Sequence, residues 1–277
     1  HPQSPAMIKL PISVFIIARN EADRLPPVIR SVRDWVDEVH VIDSGSDDDT
    51  VKVSEALGAK THFRAWTGYG PQKVYGESLC RNDWLLNIDA DEEISPRLRA
   101  EILAVFAAGP KHTAYTVPIL PLYNFQERAH PWTVHHHPVR LYRKSCGGFK
   151  DSTVHDTVVM HNGSTGRLRG MVNHRSFRSL SHHLDKVNFY SSAQAEDRFT
   201  KGREPSFLTL LLITPLSFLK SLILRREILN GIDGVVVSYM YAFQRFIRLA
   251  KTRERFRLAR RKHETEAMTG RTKQDSG

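Results

Sequence analysis

Three short polar clusters each follow a run of apolar, largely β-branched residues. They are Ala18-Arg19-Asn20-Glu21, Asp43-Ser44-Gly45-Ser46-Asp47 and Asp89-Ala90-Asp91-Glu92-Glu93. In open α/β sheets ligands sit at the carboxyl ends of the strands, so these are the positions where chemistry is expected. Asp89-Ala90-Asp91 carries the most. Two carboxylates on a tight turn can coordinate a hard cation such as Mg²⁺ or Mn²⁺, which a diphosphate then shares, and the ion would neutralise a leaving nucleotide diphosphate. The same triplet also reads as an acidic turn that caps a helix; its placement, repeating that of the other two clusters, favours the metal reading. Asp43 and Ser44, with Gly45 beside them, can hydrogen-bond a base or ribose, while Ser46 and Asp47 fit the cap of the next helix. Asn20 and Glu21 carry the same two readings, capping the first helix and touching a nucleotide.

The elements that must hold these clusters form a βαβ rhythm. Strands are expected at Ile12 to Ala18, Glu38 to Asp43, Ala59 to Phe63 and Trp84 to Ile88, with helices near Glu21 to Trp35, Thr50 to Gly58, Gln72 to Arg81 and Ser95 to Ala107. Parallel strands with right-handed crossovers follow from that order. From about 112 to 176 the pieces are strand-like, including Ala114 to Leu120 and Val139 to Arg143, with Gly147-Gly148 and Asn162-Gly163 as turn signals, so this half is expected to be mixed or antiparallel. The expected organisation is a tail over 1–10, a catalytic domain over 11–180 (halves 11–110 and 111–180), a basic helical extension over 181–262 and a frayed polar tail over 263–277.

The 277 residues are 40% apolar and 25% charged, an ordinary globular composition. The net charge of +10 is uneven: residues 201–277 hold 16 Lys and Arg against 7 Asp and Glu. Cys80 and Cys146 have no CxxC or Cys/His spacing, which excludes a disulfide framework or zinc signature and fits reduced thiols in a cytosol. No basic stretch followed by an apolar core opens the chain, so no secretory signal is expected. The longest apolar run, Phe207 to Leu219, is broken by Thr214, Pro215 and Ser217 and falls short of the roughly 20 residues of a spanning helix. Neighbouring side chains diverge along a strand, so His135-His136-His137 is expected at the surface or in an acceptor groove instead of around one ion.

Taken together, Ile-Ile-Ala-Arg-Asn-Glu (16–21), Val-Ile-Asp-Ser-Gly-Ser-Asp-Asp-Asp-Thr (41–50), Gly-Tyr-Gly-Pro-Gln-Lys (68–73) and Trp-Leu-Leu-Asn-Ile-Asp-Ala-Asp-Glu-Glu (84–93) resemble glycosyltransferase family 2. More narrowly they resemble the lipopolysaccharide-core β-1,4-glucosyltransferases. The likeness runs from about Ile12 to Lys251 and continues in Val154-His155-Asp156, Gly166-Arg167-Leu168 and 174–180. It implies an α/β GT-A fold: a Rossmann-like nucleotide-binding half with a mixed central sheet, followed here by a C-terminal amphipathic helical extension. It implies that Ala18, Arg19, Asn20, Glu21, Asp43, Ser44 and Gly45 hold the nucleotide. Asp89, Ala90 and Asp91 would engage ribose and metal. Lys73 fills the matching Gln-Lys position, as a donor contact or as a solvated helix lysine. Inversion needs a base on the acceptor side of the sugar; Asp156 is the candidate, a shorter equivalent of the family's Glu, with His155 as its rival. His174, after the strand-like Leu168 to Val172, is either a metal or diphosphate ligand or a structural histidine.

The activity implied is transfer of a hexose, glucose from UDP-glucose, to a lipid-linked saccharide such as the lipopolysaccharide inner core. The alternatives are a polyprenyl-phosphate glycosyltransferase, a nucleotidyltransferase, whose Gly-rich phosphate loop is missing from Ala18-Arg19-Asn20-Glu21, and a membrane-attached nucleotide-sugar-binding protein without turnover. From Phe207 to Phe256, Leu, Ile, Phe and Tyr interleave with Lys220, Arg225, Arg226, Arg245, Arg248 and Lys251, the composition of helices lying in an anionic membrane interface. A helical cap on the catalytic domain is the other reading. Aromatics set among aliphatic runs, without a recognised motif, argue against nucleic acid. The expected location is cytoplasmic and peripheral, at the inner face of the inner membrane.

Overall fold

A computed structural model describes residues 9–123, 126, 129–134, 136–151 and 157–274. They divide into two compact units: the residues through Leu122 with Val134–Ser176, and Tyr123–Thr133 with the chain from Phe177 onward. In the first unit the chain runs β1 (Leu10–Ala18), α1 (Leu25–Val32), β2 (Val36–Asp43), α2 (Thr50–Ala56), β3 (Lys60–Phe63), α3 (Tyr69–Leu79), β4 (Trp84–Asn87), β5 (Glu92–Ile94) and α4 (Pro96–Ala107). Then come β6 (Ala114–Thr116), β7 (Ile119–Tyr123), β8 (Val139–Arg143), β9 (Gly147–Phe149), β10 (Val158–Met160), β11 (Thr165–Arg167) and β12 (Val172–Phe177). The central sheet has the order β11-β6-β8-β4-β1-β2-β3. Strands β4, β1, β2 and β3 are parallel, whereas β8 runs against both β4 and β6.

The alternation along β1 explains its central position. Ile12, Val14 and Ile16 face α1 and α4 in one core with Leu25, Ile29, Val32, Leu98 and Ile102. Phe15, one residue out of phase, faces Leu85, Tyr142 and Phe149 in the other. Helix α3 lies close over that second face at Gly76, where a Cβ would stand 2.6 Å from the Phe15 ring. The expected turn at Gly147-Gly148 is instead strand β9. A Cβ on Gly147 would meet Val159 O at 2.6 Å and one on Gly148 would meet Glu77 at 3.0 Å, so these glycines serve close packing.

At the amino ends of the strands, away from the polar clusters, Glu38 is buried and accepts hydrogen bonds from Ser13 Oγ (2.7 Å), Arg81 N (2.8 Å) and Lys60 Nζ (3.1 Å). Burial by itself would raise its pKa; those donors outweigh it and bring the carboxyl down to about 2.

The second unit is helical: α5 (Leu180–Thr200), α6 (Phe207–Leu219) and α7 (Gly231–Gln274), with a π turn over Lys220–Leu224 and a 3₁₀ turn over Glu227–Asn230 between the last two. Ser179 and Ser206 cap α5 and α6 by accepting from His182 N and Thr209 N. Two expectations are corrected here. The polar stretch from 263 does not fray at its start: α7 continues to Gln274. The apolar run also does not stop at Leu219, because the π turn prolongs it as helix to Leu224 despite Pro215. The resulting 18 residues, only 11% of them buried, form the one helix among the described residues long and apolar enough to cross a membrane by length and composition.

The depressed Glu38 carboxyl sets a pH dependence. Its contribution is fully present above its ordinary value of 4.5 and is lost as pH falls from there towards 2. Glu38→Gln is expected to cost about 2 kcal/mol at neutral pH and to flatten the decline of the urea midpoint on acidification; parallel acid profiles for both proteins would contradict this.

Candidate active site

The three clusters converge at the carboxyl edge of the parallel strands, braced by their own side chains. Asn20, at φ +55°, accepts from Asp47 N through Oδ1 (2.8 Å) and donates its own amide to Ser46 Oγ (2.9 Å). The left-handed backbone there suits asparagine. Glu21 N donates to Thr50 Oγ1 at 2.8 Å. Asp43 accepts from Gly45 N (2.9 Å) and Ser46 N (3.0 Å), closing a turn in which Gly45 takes φ +93°. Ser44 N donates to Ala18 O, and Ser44 Oγ accepts from the buried Gln72 amide at 2.8 Å. Ser46 and Asp47 therefore join the first two clusters and do not cap α2. That helix begins at Thr50, whose amide Asp48 accepts (3.0 Å). At the start of α1 the Glu21 carbonyl accepts from Arg24 N and Leu25 N. Arg19 projects as an exposed residue beside the buried Ala18. Phe63, Trp66 and Tyr69 expose apolar rings in the same stretch of chain, with Phe63 nearest Gly45.

The third cluster is built on buried charge. Lys73 is fully buried on α3, so it is not a solvated helix lysine; its ammonium donates to Asn87 Oδ1 (3.1 Å) and Asp89 Oδ1 (2.9 Å). Arg140, reaching inward from β8, donates to Asn87 Oδ1 (3.0 Å), Asp89 Oδ2 (3.3 Å) and Glu92. Burial opposes ionisation of Asp89, but the charges of Lys73 and Arg140 outweigh it and hold the carboxyl far below its usual range. Burial pushes the neighbouring Glu92 up. Ala90 is buried between them.

Asp91 faces the other way. Its Oδ1 lies 3.4 Å from His174 Nε2, and its Oδ2 accepts from Arg24 (3.1 Å), which also pairs with Glu21. Burial acts against its ionisation, yet the hydrogen bond and charge of His174, then Arg24, keep its pKa below normal. The same contact raises His174 against its own desolvation. His174 does not follow a strand: it lies within β12, paired antiparallel opposite Glu92 of β5, and that register brings it to the aspartates.

No group of three or more His, Cys, Asp or Glu converges on one point among the described residues. Asp89 is engaged by Lys73 and Arg140, and Asp91 by His174 and Arg24, so a cation would enter at Asp91 in exchange for these partners, with His174, once neutral, beside it as a nitrogen donor. One carboxylate with substrate phosphates and water is the pattern of Mg²⁺ sites, and an added imidazole suits a transition ion such as Mn²⁺. Asp156 and His155 lie outside the described residues, as does His135. His136 is exposed and bridges to Ile119, and His137 lies 2.8 Å from Arg167.

Residues 13–173 match the model of the family described as glycosyl transferase family 2, more than half of the chain. The chain belongs to that family. A Rickettsia felis protein named "Uncharacterized glycosyltransferase" is 42% identical over 253 residues, covering 88% of this chain and 89% of its own length. The lipopolysaccharide core biosynthesis glycosyltransferase LpsC of Rhizobium meliloti is 29% identical over 277 residues, covering 94% and 98%. The crystal structure of glucosyl-3-phosphoglycerate synthase from Mycobacterium tuberculosis with Mn²⁺ and UDP-glucose has a TM-score of 0.33 and 25% identity, over 41% of this chain and 44% of that one.

Within this family 2 glycosyltransferase of the α/β GT-A type, sequence reasoning did not single out Arg24, Asn87 or Arg140 for the site, and gave Glu92 no role beyond its place in the third cluster. Arg140 had a readable signal, a charged residue on the buried face of the strand Val-Arg-Leu-Tyr-Arg. Arg24 had none beyond its spacing of three from Glu21. Lys73→Met should lower stability by about 3 kcal/mol, because it leaves Asp89 and Asn87 without their buried cation. An unfolding midpoint equal to wild type would show that Arg140 alone suffices.

Proposed function

We propose that this family 2 enzyme transfers glucose from UDP-glucose, with inversion, to a hydroxyl of a lipid-linked saccharide such as the lipopolysaccharide inner core, working with Mg²⁺ or Mn²⁺ at a cytoplasmic membrane surface. The observation that carries the reading is the division of labour between two aspartates. Lys73 and Arg140 hold Asp89 ionised as an acceptor suited to ribose hydroxyls, while Asp91, paired with His174 and Arg24, is the carboxylate that would take the ion. The end-to-end similarity to LpsC supports the acceptor class. The apolar helix ending at Leu224 supports the membrane.

The ion, when bound, supplies positive charge to the diphosphate leaving group. The chain's residues do the rest. The braced clusters at 18–21 and 43–46 orient the nucleotide, with Gly45 leaving room for close approach. Asp156 removes the proton of the acceptor hydroxyl as that oxygen bonds to the anomeric carbon and the bond to the diphosphate breaks on the opposite face. His155 is the neighbouring candidate for that proton.

Turnover of UDP-glucose with a truncated core lipopolysaccharide tests the assignment. Asp156→Asn should keep donor affinity and lower kcat by about a hundredfold or more, as loss of a general base does. An unchanged kcat would remove Asp156 from the mechanism, and glucosylation of polyprenyl phosphate in place of the saccharide would reassign the acceptor.

A further inference from the structure

The second unit carries two features that the transfer reaction does not use. The first is α6 with its π turn, on which Phe207 (73% exposed), Leu208, Leu211, Leu216, Ile223 and Leu224 (73%) are exposed around most of the helix. A continuous apolar surface of this kind is costly in water and marks a surface meant to be covered. The second is a row of arginines on α7. Arg253, Arg257 and Arg261 follow at intervals of four, hence on one helix face, spread over roughly 12 Å. With Leu210 of α6 and Phe246 and Leu258 of α7 they line an open groove of about 400 Å³.

Arginine exceeds carboxylate among the residues that line this groove. Glu254 is the carboxylate in its lining. Of the nearby acids, Glu204 takes a two-pronged bond from Arg260 at 2.8 Å and also feels the charges of Arg253 and Arg257, and Glu196 is engaged by Arg255, so the acids are shared among more guanidinium groups than they can match. The groove thus combines an apolar floor, continuous through Leu210 with the exposed helix, and a rim of guanidinium groups suited to bidentate phosphate recognition.

We propose that this groove binds the phosphate of an anionic phospholipid headgroup, with Arg253, Arg257 and Arg261 on the phosphate and the apolar face of α6 among the acyl chains. The proposal rests on the membrane attachment argued above and adds a defined site to it. A nucleic acid would use the arginines but leave α6 uncovered. A second copy of the chain would bring a second arginine row against the first. A lipid satisfies both features at once.

Vesicle flotation of the full chain tests this, using phosphatidylcholine alone and an equimolar mixture of phosphatidylcholine and phosphatidylglycerol. The Arg253→Gln/Arg257→Gln/Arg261→Gln protein is compared with a charge-matched Lys220→Gln/Arg225→Gln/Arg226→Gln protein, with circular dichroism confirming that both fold. Wild type should prefer the anionic vesicles, and the groove variant should lose that preference by at least tenfold while keeping its binding to phosphatidylcholine. The charge-matched variant should lose much less. Equal losses in the two variants would overturn the site and leave only diffuse surface attraction. No flotation of wild type on either vesicle would overturn the membrane reading itself. A groove variant that changes a concentration-dependent dimer and not flotation would assign the surface to a second copy.

Discussion

The ion pair between Lys73 and Asp89 is the constraint on which the site depends. An ammonium with no exposure cannot remain charged without a partner, and here its partners are Asn87 and Asp89, both at the end of the central strand β4. Because Arg140 approaches the same two residues from β8, the antiparallel neighbour, the turn after β4 is clamped from a helix and a strand at once. Asp89 is thereby occupied, and Asp91, two residues on, is left to the opposite side, where β12 brings His174. The antiparallel strands, β8 in the central sheet and β12 in a separate three-stranded sheet with β5 and β7, thus deliver a cation to one aspartate and an imidazole to the other.

The two ends of the parallel strands have different duties. At the amino ends, Ser13, Glu38, Lys60 and Arg81 form a closed network of matched donors and acceptors that serves stability. At the carboxyl ends the first two loops brace one another through Asn20, Ser46 and Asp47, so their shape is set by the chain's own hydrogen bonds. Such preorganisation lowers the cost of binding a donor. The helical unit follows another logic. Its apolar residues outnumber what its own packing covers, and the surplus lies on α6.

Much of this was legible in the sequence where local pattern decides. The alternation in β1 and the apolar run of β4 are local signals, and the polar clusters announced the carboxyl edge of the sheet. What was not legible came from pairing between distant segments. Lys73 reads as a surface lysine on a helix until α3 is laid over the sheet. His174 reads as a residue beyond a strand until β12 pairs with β5. Gly147-Gly148 reads as a turn because glycine serves turns and close packing equally well. The apolar run at 207 reads as broken at Thr214, Pro215 and Ser217, whereas the backbone passes through all three as helix and continues to Leu224.

The central claim is that Asp91, set beside His174 by this arrangement, makes nucleotide-sugar binding depend on a divalent ion. Calorimetry with UDP, UDP-glucose, GDP-mannose and ADP-heptose, with and without Mn²⁺, on wild type and Asp91→Ala, tests it most directly. The account predicts binding of the UDP compounds only in the presence of Mn²⁺ and its loss in Asp91→Ala. Metal-independent binding that the substitution leaves intact would contradict it.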